Sequence, residues 1–192
     1  MRKKNNLKVI VTILIVTVLC ICGVFRFFSI NSKYPQNEKV VYKMGDSFVC
    51  QNAKFTITDT YMLKRMDIMN DDDLSEYLEE NSDYLKSEDL NHGLIKIIIS
   101  NTTDDEITVD LTAFHIESGA YSLQFYYPLV MYYNDCGMYI KLSKGEQKTF
   151  IAPVPISSEQ FLNYDSTNIR NRTYYLVSSL YPQKIMSEVK FN

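Results

Sequence analysis

Two histidines, two cysteines outside the first apolar segment, a dense run of carboxylates and a tyrosine-rich stretch are the chemistry-bearing residues of this 192-residue chain. His92 and His115 each stand alone. Neither belongs to an H-E-x-x-H or C-x-x-C pattern, so the spacing that gathers zinc ligands is missing, and no metal or cofactor is expected. No G-x-S-x-G elbow offers a serine nucleophile, and His115 falls in a strand-like run where a histidine is usually structural. A glycosidase needs only two carboxylates brought together by folding, which no linear motif excludes. Cys50 and Cys136 form the candidate disulfide. In an oxidising compartment it would close a loop of about 85 residues, a gain of up to roughly 4.5 kcal/mol in the chain-entropy description. Spacing alone leaves that pairing open.

The carboxylates concentrate in residues 67–90, which hold ten acids and one base. Asp71, Asp72, Glu76, Glu79 and Glu80 are the candidates for contacting a cation or a basic partner. The run has no glycine to turn a calcium loop, so an EF-hand is not supported. The plainer account is a solvated helix face, with Asp71, Asp72 and Asp73 at the helix N-terminus, where the dipole favours negative charge. The chain also has fifteen Tyr and ten Phe, clustered at Phe125-Tyr126-Tyr127, Tyr132-Tyr133 and Tyr174-Tyr175. Aromatics suit half-buried sheet surfaces. The sharper reading makes Tyr126, Tyr127, Tyr132 and Tyr133, a stretch broken by Pro128, an exposed rim that contacts a protein or glycan, because tyrosine is enriched at binding surfaces.

These residues have to be positioned by a fold, and composition bounds which. A chain 46% hydrophobic and 22% charged, with 6 Gly, 5 Pro and 4 Cys, reads as one folded domain plus an appendage. It is too apolar for a disordered chain and too poor in Cys for a disulfide scaffold. The net charge of −3 hides an asymmetry: Arg2, Lys3, Lys4, Lys8 and Arg26 precede residue 27, and the remainder carries an excess of eight acids. So acidic a domain is not expected to bind nucleic acid, whose phosphates need a basic face.

Residues 1–8 read as a basic cytoplasmic tail and residues 9–28 as a single transmembrane anchor. Nineteen helical residues span roughly 28 Å, close to the hydrocarbon thickness of a bilayer. The four leading basic residues place the N-terminus in the cytoplasm and the C-terminal domain outside. A cleaved or lipidated signal is the competing reading, but no A-x-A-like site follows, and Leu19 and Ile21 precede Cys20 and Cys22 where a lipoprotein signal needs a small residue. Residues 29–39, polar and containing Pro35, form the expected linker.

From Val40 onward, short runs rich in Val, Ile, Thr, Tyr and Phe are bounded by Gly, Asn, Asp and Pro, which are strand signals. In Lys54 to Tyr61, Phe55 and Ile57 alternate with Thr56, Thr58 and Thr60, and Tyr61 and Leu63 are expected to resume the apolar face. Leu94 to Ile99 reads as a central strand covered on both sides. Further strands are expected over Ile107 to Ile116, Tyr121 to Tyr127, Met138 to Leu142, Lys148 to Val154, Tyr174 to Leu180 and Ile185 to Phe191, with a tight turn at Lys144-Gly145-Glu146. Asp73 to Lys86 breaks the pattern: Leu74, Tyr77, Leu78 and Leu85 sit at helical spacing, and Asp73 with Glu76 resembles a capping box. Two Asn-x-Thr sequons, at Asn101 and Asn171, matter only in a host that glycosylates them.

The N-terminal anchor, Met44-Gly45-Asp46-Ser47 leading into Phe55-Thr56-Ile57-Thr58, Ser100-Asn101-Thr102-Thr103 after an apolar strand, and Lys144-Gly145-Glu146-Gln147 before Phe150 to Pro155 together form a pattern. It resembles the telokin-like, immunoglobulin-like domains of unknown function on membrane-anchored cell-envelope proteins of Gram-positive bacteria. The resemblance covers roughly residues 40–192 and brings no catalytic residues with it. It implies an all-β fold: an antiparallel immunoglobulin-like β-sandwich of seven to nine strands, carrying one inserted acidic α-helix at about 67–90. The buried Trp of antibody-type domains is missing. The expected function is a non-enzymatic binding or accessory module at the envelope, with a protein or cell-wall partner met through the insert and the Tyr-rich stretch. The alternatives are an enzyme acting on cell-wall glycan or peptide through paired carboxylates, and a purely structural spacer.

Overall fold

The computed structural model describes residues 2–33, 38–81, 90–157, 169 and 171–191. The chain divides into two compact units, residues 1–37 and 38–192. The first holds the helix α1 (Arg2–Lys33). Its stretch Thr12–Lys33 is long and apolar enough to cross a membrane, with a mean hydropathy of 2.5 and no buried surface. Twenty-two residues rise roughly 33 Å. Thr17 donates its hydroxyl to the Ile13 carbonyl at 2.9 Å, which satisfies a polar group inside the apolar run. The helix runs five residues past the expected limit of 28, so the first part of the supposed linker is helical. It reaches Lys33, two residues before Pro35, whose ring disfavours helical backbone at the residue before it.

The second unit contains, in chain order, β1 (Lys39–Tyr42), β2 (Ser47–Cys50), β3 (Ala53–Leu63), α2 (Arg65–Met69), α3 (Asp72–Asn81), β4 (Leu90–Asn101), β5 (Ile107–Asp110), β6 (His115–Ser118), β7 (Tyr121–Gln124), α4 (Tyr127–Tyr133), β8 (Tyr139–Leu142), β9 (Gln147–Ser157), β10 (Tyr174–Ser179) and β11 (Lys184–Val189). It is a β-sandwich. One sheet has the order β1-β11-β10-β6-β7, another β2-β3-β4-β9, and β5 pairs with β8 alone. Neighbours pair antiparallel except β1, which lies parallel to β11. Phe48, Phe55, Ile57, Ile95, Ile97, Ile99 and Phe150 from one sheet meet Ile116, Leu123, Tyr174, Leu176 and Val189 from the other in a continuous core.

Eleven strands among the described residues exceed the seven to nine expected: residues 39–50 supply two strands, and one expected run is divided, each time at a side-chain-directed turn. Between β1 and β2, Gly45 adopts φ +90°, while the Asp46 carboxylate accepts from the Lys43 amide at 3.0 Å. Such a φ favours glycine. The run from Ile107 to Ile116 is broken where Asp110 accepts hydrogen bonds from both the amide and the hydroxyl of Thr112, at 2.8 and 2.6 Å. The turn at Lys144 and Gly145 is formed as expected, closed by the Glu146 amide on the Ser143 carbonyl at 3.0 Å.

Two further expectations are corrected. A bulge between Ile57 and Asp59 shifts the phase of β3, so Thr60 and Met62 turn inward, Tyr61 is exposed and Leu63 is half-buried. One extra residue reverses every side chain after it. β4 is central, as expected, but Lys96 is exposed and Ile98 half-buried, so only one of its faces is fully covered. The sequon at Asn101 is closed as well. Its buried amide donates to the carbonyls of Asp105, Leu142 and Ser143 at 2.7, 3.1 and 3.0 Å, and its carbonyl accepts from the Thr103 amide and hydroxyl.

The sandwich has two distinct ends. At one, the Cys50 thiol donates to the Ser178 carbonyl at 3.5 Å, and Gln51 exchanges hydrogen bonds with the backbone of Asp110. Glu38 meets the start of β11 there, its carbonyl accepting from the Lys184 amide at 2.8 Å. At the other end the Thr60 hydroxyl donates to the Lys190 carbonyl, and Phe191 lies over Gly93, where any Cβ would come within 2.4 Å of its ring. The helices α2, α3 and α4 gather at this second end. Six residues of β11 separate the two, roughly 20 Å at strand spacing.

Candidate functional site

The two stretches singled out in the sequence, the acidic insert and the tyrosines, meet at the helical end. In α3, Leu74, Tyr77 and Leu78 recur at i, i+3 and i+4 and so share one face. The capping residue is Asp71 rather than the expected Asp73: its carboxylate accepts the Leu74 amide at 3.0 Å, and its carbonyl accepts the Ser75 amide at 2.9 Å. α3 begins at Asp72 and is described to Asn81; residues 82–89 of the expected insert lie outside the described residues. α2 carried no sequence signal beyond Ile68.

The Tyr-rich stretch expected as an exposed rim forms the helix α4. Pro128 sits in its first turn, where its missing N–H costs nothing. Both ends are tied to β9, the edge of its sheet. The Tyr126 amide donates to the Pro153 carbonyl at 2.8 Å. Asn134 donates to the Val130 and Ile151 carbonyls at 2.8 and 2.9 Å and accepts from the Ile151 amide at 2.8 Å. The helix thereby covers a strand edge that would otherwise be open to pairing.

Ile68, Leu74, Leu78 and Leu129 form a second apolar cluster, with Leu63, Tyr77, Tyr126, Tyr132 and Tyr133 packed around it. Tyr77 packs against Tyr132 at 5.2 Å with the rings tilted by 51°, and Tyr132 meets Tyr133 edge-on at 5.1 Å. Tyr126 lies 5.2 Å from the ring of His92. Tyr126, Tyr132 and Tyr133 are therefore half-buried packing residues, which corrects the expected exposed rim. Tyr127 remains exposed at 55%, joined one helical turn on by Met131 at 42%. On α3 and its cap, Asp71, Asp72, Asp73, Glu76 and Glu79 are all exposed; the side chain of Glu80 lies outside the described residues. α3 thus exposes carboxylates, while α4 exposes Tyr127 and Met131 on a face that borders Gly137.

Two of the phenols are shifted, chiefly by burial. Burial, then the neighbouring Tyr61, Tyr132 and Asp71, pushes Tyr133 up to about 12, and burial followed by Asp71 and Asp73 raises Tyr132. His92, buried at the base of the cap, is lowered to about 3 by desolvation and is neutral.

Three other features have chemical potential. A cavity of about 270 Å³ is lined by Tyr133, Asn134, Asp135, Cys136, Lys148 and Thr149. Burial raises the Cys136 thiol, partly offset by Lys148, and burial likewise raises Cys50. Both are free thiols in the structure, so the candidate disulfide is not formed, and raised thiols are poor nucleophiles. On the first sheet, Lys184 reaches across β10 to Glu117 at 2.6 Å, and His115 approaches the same carboxylate at 3.2 Å. Burial raises Glu117, but hydrogen bonds from Lys184 and His115 outweigh it and leave the carboxyl below its usual range. Among the described residues, no group of three His, Cys, Asp or Glu converges as metal ligands would.

The chain is similar to several solved structures. One is a lipoprotein candidate, ycdA, from Bacillus subtilis subsp. subtilis strain 168, at 13% identity and TM-score 0.49; the match covers 75% of this chain but only 38% of that one. Another is an uncharacterised β-sandwich protein from Clostridium difficile 630, at 12% identity and TM-score 0.44 over 81% of this chain and 98% of the other. A third is the yjhA protein of Bacillus subtilis, at 13% identity and TM-score 0.39 over 79% and 99%. No curated protein matches the sequence. The sequence matches the family described as Domain of unknown function (DUF5028) over residues 31–185, and the chain belongs to that family.

Proposed function

We propose that this protein is a membrane-anchored, extracytoplasmic binding module of the Gram-positive envelope, without catalytic activity, that captures a basic protein segment on its helical cap. α1 is the uncleaved anchor, its basic N-terminus cytoplasmic, and the sandwich is of the immunoglobulin-like class. The observation that carries the reading is the packing of α3 on α4 through Tyr77 and Tyr132, with five carboxylates exposed on α3 and its cap and Tyr127 and Met131 exposed on α4. A surface of that composition offers long-range attraction to cations and an apolar anchor at contact.

The test is photo-cross-linking on intact cells from a probe at Tyr127. The expected result is a defined adduct that weakens with added salt and is lost in the Asp72→Asn, Glu76→Gln, Glu79→Gln variant, since exposed charges are screened over about 8–10 Å. An adduct of undiminished yield in that variant sinks the basic-partner reading. No adduct at all sinks the binding module.

A further inference from the structure

We propose that the edge of β9 at Thr149 is a strand-addition site for a peptide with an unblocked N-terminus, whose backbone pairs antiparallel with Thr149 and whose terminal ammonium meets Asp135. The site is separate from the exposed carboxylates of α3 and does not depend on what they bind.

β9 pairs with β4 on one side only and keeps an unbroken register from Gln147 to Ser157. In an antiparallel ladder the backbone N–H and C=O of successive residues point to alternate sides. Ile151 turns both groups away from β4 toward Asn134. The Asn134 side-chain amide accepts from the Ile151 N–H at 2.8 Å and donates to its carbonyl at 2.9 Å, as a peptide group of a neighbouring strand would. Two residues on, the Pro153 carbonyl accepts from the Tyr126 amide at 2.8 Å on that same side. Two residues back stands Thr149, whose N–H and C=O therefore face the same edge. Among the described residues nothing bonds to them there. An unpaired edge is a template for another strand.

Thr149 opens onto the cavity of about 270 Å³ that Tyr133, Asn134, Asp135, Cys136 and Lys148 also line. The space exists because β8 and β9 diverge after the turn that joins them, β8 to pair with β5 and β9 with β4. A cavity of that size admits the end of an extended chain and excludes a helix, which is roughly 10 Å across. Asn134 already fills the place beside Ile151, so an added strand has to end there. That end lies next to Asp135, an exposed carboxylate on the cavity wall that suits an ammonium. Lys148 disfavours an ammonium at the other end, and its Nζ engages the Lys141 carbonyl at 3.1 Å and the Glu146 carboxylate at 3.4 Å. A chain whose N-terminus sits at Asn134 runs antiparallel to β9, the sense in which one residue exchanges both hydrogen bonds with Thr149. Charge and pairing geometry thus select the same orientation.

The test uses the full-length, isotope-labelled protein in nonionic detergent. The probe is a tetrapeptide amide of alternating valine and threonine, residues that favour extended backbone, with its N-terminus free or acetylated. NMR follows the amides of Thr149 and Cys136 as peptide is added. The expected result is a saturable shift, with the dissociation constant raised at least about threefold by acetylation or by Asp135→Asn, as for loss of one exposed charged contact. Saturating peptide should also slow hydrogen exchange of the Thr149 amide. Thr149→Val keeps the backbone N–H and should bind as the wild type does. Thr149→Pro removes it and should not bind; this side of β9 already accommodates Pro153 and Pro155, and circular dichroism checks that the fold is kept. No saturable shift overturns the site. Unchanged exchange at Thr149, or undiminished binding by Thr149→Pro, overturns strand pairing. Equal affinity for the acetylated peptide overturns capture of the N-terminus.

Discussion

Acidification should destabilise this domain through His92 before any carboxylate is protonated. The imidazole is buried on β4, opposite Leu63 and against Tyr126, and desolvation lowers it from 6.5 to about 3. The folded state thus keeps His92 neutral while the unfolded chain takes up a proton near pH 6.5. Stability is fully present above pH 6.5 and is lost as pH falls from there toward 3, at about 1.4 kcal/mol per pH unit. At pH 5 the loss is about 2 kcal/mol. It hardly depends on the folded value, because any folded pKa below about 4 gives the same result at that pH. The assay is urea unfolding of the full chain in nonionic detergent at pH 7.5, 6 and 5, followed by the near-ultraviolet circular dichroism of the tyrosines. A His92→Gln variant, which cannot take up the proton, is measured in parallel. Its absolute stability will differ, but its dependence on pH should be shallower by about 2 kcal/mol over the range. Equal slopes in wild type and variant would refute the reasoning.

Other predictions test the packing that holds the cap. Leu78→Ala removes one of the fully buried side chains of the second cluster, and should cost about 2–5 kcal/mol. Since that cluster is small, the loss should appear as local opening, with amide exchange in residues 65–81 accelerated at least about thirty-fold and residues 94–99 unchanged; equal acceleration in both would show that cap and sandwich unfold as one. Asn101→Ala strands the Thr103 amide and the carbonyls its side chain held, for an expected loss of about 2–4 kcal/mol in the urea midpoint analysis, against which a loss below about 0.5 would count. Gly93→Ala drives a methyl into Phe191 and should cost about 1–3 kcal/mol in wild type but much less in a Phe191→Ala background, a coupling that a double-mutant cycle measures.

What the sequence determined was local. The apolar helix, the period-two runs of Phe55 and Ile57 or Ile97 and Ile99, the turn at Gly145 and the face of Leu74, Tyr77 and Leu78 were legible because each signal lies within a few residues and follows from backbone geometry. A five-residue helix such as α2 carries too few residues for that signal. The tertiary structure decided what propensity could not. Tyr127 to Tyr133 is rich in residues that favour strands, yet it is helical because Val130 packs in the main core, Leu129 in the second, and Asn134 fastens its end to β9. The bulge in β3 similarly turns Leu63 toward the helices, a choice made by the partners it gains.

The meeting of α3 with α4, the pairing of the first strand with the last, and the fastening of Gln183 to Glu38 join residues some 50 to 145 positions apart. Their free energy comes from burial and from hydrogen bonds between surfaces that exist only once the sheets have formed, so no window of sequence contains it. The carboxylates and tyrosines could be picked out one by one in the sequence; that the helices carrying them pack together, at the end of the sandwich away from Glu38, is a property of the fold.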